Sequence, residues 1–298
     1  MGRLDGLKDR APGLHKFLTR RDRPWPLVRE ALGGALVILL LVGALYGFTG
    51  QPLSGGYPVV VVTSGSMMHC ANANLEGVGP GLGKDCDASS FGRVGTIDPG
   101  DLVFVRALGN VSDVATLAGH GGSTYGKAGD VVVYRPYGST ATTPIIHRAL
   151  FWLQVNGDGT FTVSDLGLSR VRTLDQPNLT AFTKCALSTS GVHGPLTAAD
   201  SGFITKGDNN PGADQCPAGA LSAPVRLEWV LGKARGELPW IGLVKLFVDS
   251  LGGSQNFGNA SADTKVMMTV VLVVLLAGPW TVERIVRARR RKDEPPVE

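Results

Sequence analysis

Four polar residues set in or beside apolar runs could do chemistry together: Ser66, His147, Asp208 and Asp214. A serine hydroxyl is a poor nucleophile near neutrality and needs a base within hydrogen-bond reach, and histidine is the side chain whose free ionisation suits that task. A carboxylate then holds the imidazole in one tautomer and stabilises its charged form. The parts follow one another as Ser, His, Asp, the kit of a serine hydrolase. Singly, each has an ordinary reading. Ser64-Gly65-Ser66 is common loop chemistry, His147 could be a core imidazole, Asp208 a turn former and Asp214 plain loop beside Cys216.

The elements that must position them are short strands. Val59 to Val62 follows Pro58 and runs into Thr63-Ser64-Gly65-Ser66-Met67, which predicts a strand buried on both faces that ends in a turn. Gly65 frees the backbone there, so a hydroxyl and neighbouring N–H groups can converge on one point, as a nucleophile beside an oxyanion site requires. His147 lies inside an apolar strand over Thr143 to Trp152. Asp208 lies in the polar turn after a strand at Gly202 to Lys206. Turn-then-strand units at Pro99 to Val105 and Gly129 to Tyr134, with a hairpin at Gly157 to Val163, complete a mostly β domain with hardly a helical pattern. Met68 to Asp98 and Ser164 to Ala199 show no strong period and read as excursions. Val230 to Val244, with Trp229 and Trp240 beside or inside it, reads as an apolar stretch suited to a membrane surface.

Two segments look committed to lipid. Residues 31–50 carry no charge and, at about 1.5 Å per residue, reach about 30 Å, enough for a hydrocarbon core. Residues 265–282 are shorter and hold Pro279, with Trp280 placed for an interface. A cleaved secretory signal is the alternative for the first. Of the 29 Lys and Arg residues, eight precede the first segment and six follow the second, which predicts cytoplasmic tails at 1–30 and 283–298. Residues 51–264 then form an extracytoplasmic domain of a multi-pass cell-membrane protein. The formal charge of +4 belongs to the tails, since the part between them holds 15 basic and 17 acidic residues. That balance argues against a nucleic-acid partner and leaves the bilayer as the partner of the basic ends.

Cys70, Cys86, Cys185 and Cys216 all fall in the outward part, where an even count reads as disulfides. Three pairings are open; neighbours in sequence, Cys70 with Cys86 and Cys185 with Cys216, are the expected ones. No Cys-x-x-Cys spacing suggests zinc, and no motif calls for a metal or cofactor. Asn110, Asn178 and Asn259 open glycosylation triplets on the same side.

Taken together, Ser64-Gly-Ser-Met67, Gly100-Asp101, Gly129-Asp130, Ile145-Ile-His-Arg148, Thr205-Lys-Gly-Asp-Asn-Asn210 and Gly232-Lys-Ala-Arg-Gly-Glu-Leu-Pro-Trp-Ile-Gly242 resemble the type I signal peptidases. The likeness is to the archaeal and endoplasmic-reticulum branch, also found in some Gram-positive bacteria, in which His stands where the main bacterial enzymes carry Lys. The resemblance implies a signal-peptidase-like β-domain and a serine endopeptidase that removes signal peptides after small residues. It makes Ser66 the nucleophile, His147 the base and Ser64 the side-chain donor of an oxyanion site completed by the Ser66 N–H. Asp214 matches the aspartate that orients the histidine, with Asp208 in support and the reverse assignment open.

The same resemblance implies preproteins as substrates, with the translocation channel a candidate partner. An extended peptide would pair with a strand edge near the valine run and near Gly129 to Tyr134. Two features depart from the family pattern. His69 stands where a Pro is usual, and the long intervals between motifs make insertions of about 68–96, 107–126 and 154–200. Two rivals remain: a non-catalytic, disulfide-bonded surface β-protein, and a Ser-Lys protease using Lys127 or Lys206.

Overall fold

The computed structural model describes residues 25–68, 96–191, 194–217 and 219–292. The chain divides into two units, the first ending at Ser54 and the second beginning at Gly55. In the first unit, helix α1 (Trp25–Thr49) runs through the uncharged segment. Its 22 residues from Val28 to Thr49 form, among the described residues, the one helix long and apolar enough to cross a membrane. Length and composition fit a span and a signal sequence equally.

The second unit is built on an antiparallel sheet of eight strands. They are β1 (Val59–Val61), β2 (Leu102–Arg106), β5 (Val131–Tyr134), β6 (Ile145–Val155), β7 (Phe161–Val163), β8 (Leu168–Val171), β11 (Gly202–Lys206) and β12 (Val230–Leu238). Their order is β1-β2-β12-β5-β6-β7-β8, with β11 also paired to β6. Two short ladders lie apart, β3 (Ser123–Thr124) with β4 (Lys127–Ala128) and β9 (Ser190–Gly191) with β10 (Gly194–Pro195). The valine-rich runs become strands because branched side chains fit a pleated surface packed on both faces. Val131, Val132, Val133 and Tyr134 are all buried, as expected of an interior strand.

Several expectations need correcting. The segment 154–200, expected as an insertion and from Ser164 to Ala199 as an excursion without regular structure, extends the sheet by β7 and β8 and adds helix α2 (Pro177–Thr183). Val155, Phe161, Val163, Leu174, Leu179 and Leu196 from it are buried in one cluster with Phe151 and Ile204. β7 and β8 are three and four residues long, too short to display a period. Of the stretch Val230 to Val244, residues Val230–Leu238 form β12 between β2 and β5, and Trp229 packs edge-on to Tyr137 at 5.8 Å, while Leu238, Ile241 and Val244 are exposed. Helix α3 (Leu243–Leu251) was also missed, hidden in the apolar run.

Within β5, Val132, Val133 and Tyr134 pair with β6, and Val132, Val133 and Tyr134 pair with β12. β5 therefore offers no free edge to a peptide, whereas β1 pairs only with β2 among the described residues. Helix α4 (Ala262–Lys292) covers the second expected span and does not stop at Pro279; its apolar part, Thr264–Gly278, is short of a span. A disulfide joins Cys185 to Cys216, with Cα atoms 5.9 Å apart. Cys70, Cys86 and His69 lie outside the described residues, as does most of segment 68–96.

Candidate active site

β6 carries His147. His147 stands opposite Val132 of β5 and Arg148 opposite Val131. Because successive side chains on a strand point to opposite faces, these two neighbours serve different sides of the sheet.

On one face, His147 is 6 % exposed and its Nδ1 lies 2.7 Å from Asp214 Oδ2. Asp214, 2 % exposed, is fixed by its own backbone: its N–H donates to the Thr205 carbonyl and its carbonyl accepts from the Leu221 N–H, both at 2.8 Å. The Tyr134 hydroxyl at 2.8 Å and the Thr205 hydroxyl at 2.7 Å donate to the same Oδ2. A carboxylate oxygen so placed accepts the Nδ1 proton and leaves Nε2 as the ring's acceptor. That Nε2 lies 3.0 Å from Ser66 Oγ. The register accounts for the assembly. Tyr134, two residues past Val132, and Thr205, opposite Ala149, both belong to the face that His147 occupies.

Ser66 sits in the turn after β1, anchored by Met67, which is fully buried against Val62, Ile97, Val103 and Val131. The polar turn at 207–210 grips the same loop. The Asn209 backbone N–H donates to the Ser66 carbonyl at 2.8 Å, and its side-chain amide donates to the Gly65 carbonyl at 3.1 Å. Gly207 permits this approach, since a Cβ there would stand 2.7 Å from the Ser66 carbonyl oxygen. Ser64 Oγ is 3.3 Å from Ser66 Oγ, and Asn259 donates to the Thr63 carbonyl at 2.8 Å.

On the other face, Asp208 is not at the imidazole. It receives Arg148 Nε at 2.8 Å and Nη2 at 2.7 Å, a bidentate pair in which the arginine is 1 % exposed. Arg148 Nη1 donates to the carbonyls of Thr124 and Gly129 at 2.9 and 2.7 Å. The clamp thus ties the 207–210 turn, and through Asn209 the loop that carries Ser66, to the strand that carries His147. Burial, ahead of neighbouring Lys127 and Lys184, pushes the Lys206 ammonium down, while Asp208 and Asp214 oppose this. Its Nζ donates to the Gly207 carbonyl at 3.4 Å, whereas Ser66 Oγ meets His147 and Ser64.

The other motif residues brace the frame. Asp130 accepts from Lys233 Nζ at 2.8 Å, from Thr124 Oγ1 and from the Ala115 N–H. Burial works against its ionisation, but these donors, Lys233 foremost, hold its carboxyl below the usual range. Asp101 accepts from the N–H groups of Asp98 and Trp240. Among the described residues, no group of three His, Cys, Asp or Glu side chains is placed to hold a metal.

Sequence reasoning named Ser64, Ser66, His147 and Asp214 but missed Tyr134, Thr205, Asn209 and the role of Arg148. The signal for the first two was strand register, which becomes readable only when the pairing of β5, β6 and β11 is known. No protein-family model matches the chain, and no curated protein matches it either.

Proposed function

We propose that this chain is a serine endopeptidase of the signal-peptidase type, anchored in a membrane and acting on preproteins at its outer face. The observation that carries the reading is the unbroken line of hydrogen bonds from Ser66 through His147 to Asp214, at 3.0 and 2.7 Å. Ser66 Oγ attacks the scissile carbonyl while His147 Nε2 takes its proton. The imidazolium, balanced by Asp214, then gives that proton to the leaving amine. Ser64 Oγ and the Ser66 N–H receive the oxyanion. Water, deprotonated by the same imidazole, releases the acyl group and restores Ser66. The choice of signal peptides as substrates, with small residues before the cut, rests on the motif resemblance.

Two anchors, α1 and the apolar part of α4, with both termini cytoplasmic, belong to the same reading, supported by the basic residues at both ends of the chain. Tethering in the substrate's own bilayer raises the effective concentration of the cleavage site.

The test is cleavage of a preprotein in detergent by the full chain and by Ser66→Ala and His147→Ala. Each substitution should lower kcat by about 10⁴-fold or more with the melting temperature kept within a few degrees. Cleavage by Ser66→Ala at the unsubstituted rate ends the reading.

A further inference from the structure

Tyr134 is the last residue of β5, fully buried, and its hydroxyl is the one polar group of that strand's side chains. It points at the functional carboxylate rather than at water or backbone, 2.8 Å from Asp214 Oδ2. The Thr205 hydroxyl reaches the same oxygen at 2.7 Å, and the register between β11 and β6 slips between Ile204 and Thr205, directly at that contact. Bulges of this kind re-aim side chains beside functional sites. The second hydroxyl is itself seated: the Gln215 side-chain amide donates to Thr205 Oγ1 at 3.4 Å, and Gln215 Oε1 accepts the Thr205 N–H at 3.0 Å. A purely structural strand end could have been closed with phenylalanine. A buried phenol instead needs a partner, and here its partner is the carboxylate behind the base.

We infer that Tyr134, together with Thr205, is a positioning residue that holds the Asp214 carboxylate against His147 Nδ1 and weakens its pull on the imidazole. The inference rests on the Ser66–His147–Asp214 reading above. Each hydroxyl that donates to Asp214 spreads the carboxylate's charge and lowers the field at His147 Nδ1. Removing one donor leaves a stronger negative partner, which raises the proton affinity of the ring and holds more of the enzyme in the inactive imidazolium form at a given pH. The other groups bearing on the pair are few. Lys206 is within electrostatic reach of Asp214. Arg148 and Asp208 neutralise each other on the opposite face of β6. Ser66 meets the far nitrogen of the ring. None of these is altered by taking an oxygen from Tyr134.

The experiment is a pH profile of kcat/KM for preprotein cleavage by the full chain in detergent, with Tyr134→Phe, Thr205→Val and Thr205→Ser. Tyr134→Phe and Thr205→Val should each move the acid limb up by about 0.5–1 pH unit and lower kcat roughly tenfold near neutrality, with KM unchanged. Thr205→Ser keeps the hydroxyl and should keep the limb in place. If both hydroxyl-removing variants lose thermal stability but retain the unsubstituted limb, the two residues merely fill space and the inference falls. If Tyr134→Phe does not fold, Thr205→Val against Thr205→Ser decides alone. Failure of the parent reading looks different, because Ser66→Ala would then still cleave and the limb would not depend on His147.

Discussion

His147 and Arg148 are neighbours on one strand, each is buried, and each ends on an aspartate, yet the two pairs are built for opposite ends. His147 meets Asp214 through one ring nitrogen and keeps the other for Ser66. Arg148 meets Asp208 with two nitrogens and spends a third on the carbonyls of Thr124 and Gly129. An imidazole beside a carboxylate can lose and regain a proton, whereas a guanidinium cannot under any condition the protein meets. On the proposed reading the first pair is reactive and the second mechanical. The alternation of a strand allows both in two consecutive residues without mutual interference.

The largest expected effect breaks this contrast if it fails. Asp214→Asn should lower kcat by about 10⁴-fold, because an amide presents the wrong partner to Nδ1, while the melting temperature changes little. Asp208→Asn should do the reverse. It strands a buried guanidinium and should cost about 3–5 kcal/mol of unfolding free energy, with the surviving folded fraction retaining most of its kcat. Denaturant titration and steady-state cleavage of both variants separate the outcomes. A stable, inactive Asp208→Asn together with an unstable, active Asp214→Asn would exchange the two roles.

A smaller effect asks what keeps Asp214 itself in place. The disulfide ends at Cys216, two residues beyond it, and closes a loop over a sequence separation of 31. A crosslink of that span contributes about 3–4 kcal/mol by restricting the unfolded chain. Cys185→Ser with Cys216→Ser should lose about that much in denaturant titration. The loss of kcat should stay far below that of Asp214→Asn, because the Thr205 carbonyl and the Leu221 N–H still hold the Asp214 backbone.

The same contrast explains what the sequence could reveal. Ser66, His147 and Asp214 each had an ordinary reading alone, and only their order within the set of motifs singled them out. Asp208 was legible as a functional carboxylate but not as the partner of Arg148, since that assignment needs the face on which each side chain lies. The Gly100-Asp101, Gly129-Asp130 and Gly232-Lys233 motifs were legible only as a set. Folded, they are a frame: Lys233 meets Asp130, and Asp101 caps the N–H of Trp240. Tyr134 closes an expected strand, and nothing in the sequence marks its hydroxyl. β8 was hidden by its four residues, though β7 lay in the expected hairpin, and β12 was hidden by an apolar run that could equally face lipid.

The smallest effect concerns a third carboxylate, one with a buried oxygen that has no donor. Glu237 on β12 has Oε2 buried and unpartnered. Burial, with Asp101 and Asp98 nearby, pushes its carboxyl from 4.5 up to about 8. An acid whose folded value is raised adds stability in full below the unfolded value and loses it as pH climbs, because the folded state then binds more protons than the unfolded one. Stability should therefore fall between about pH 4.5 and about pH 8. Asp101, raised by burial to about 6 despite its two backbone donors, adds to the lower part of that window. Glu237→Gln keeps the shape and removes the charge. It should match the unsubstituted protein near pH 4.5 and melt about 2–4 °C higher at pH 8, a modest gain because water still reaches part of the group. Thermal melts at the two pH values check this. An equal shift at both would mean that the side chain acts through packing, and Glu237 would then be no unpaired counterpart to the two aspartates.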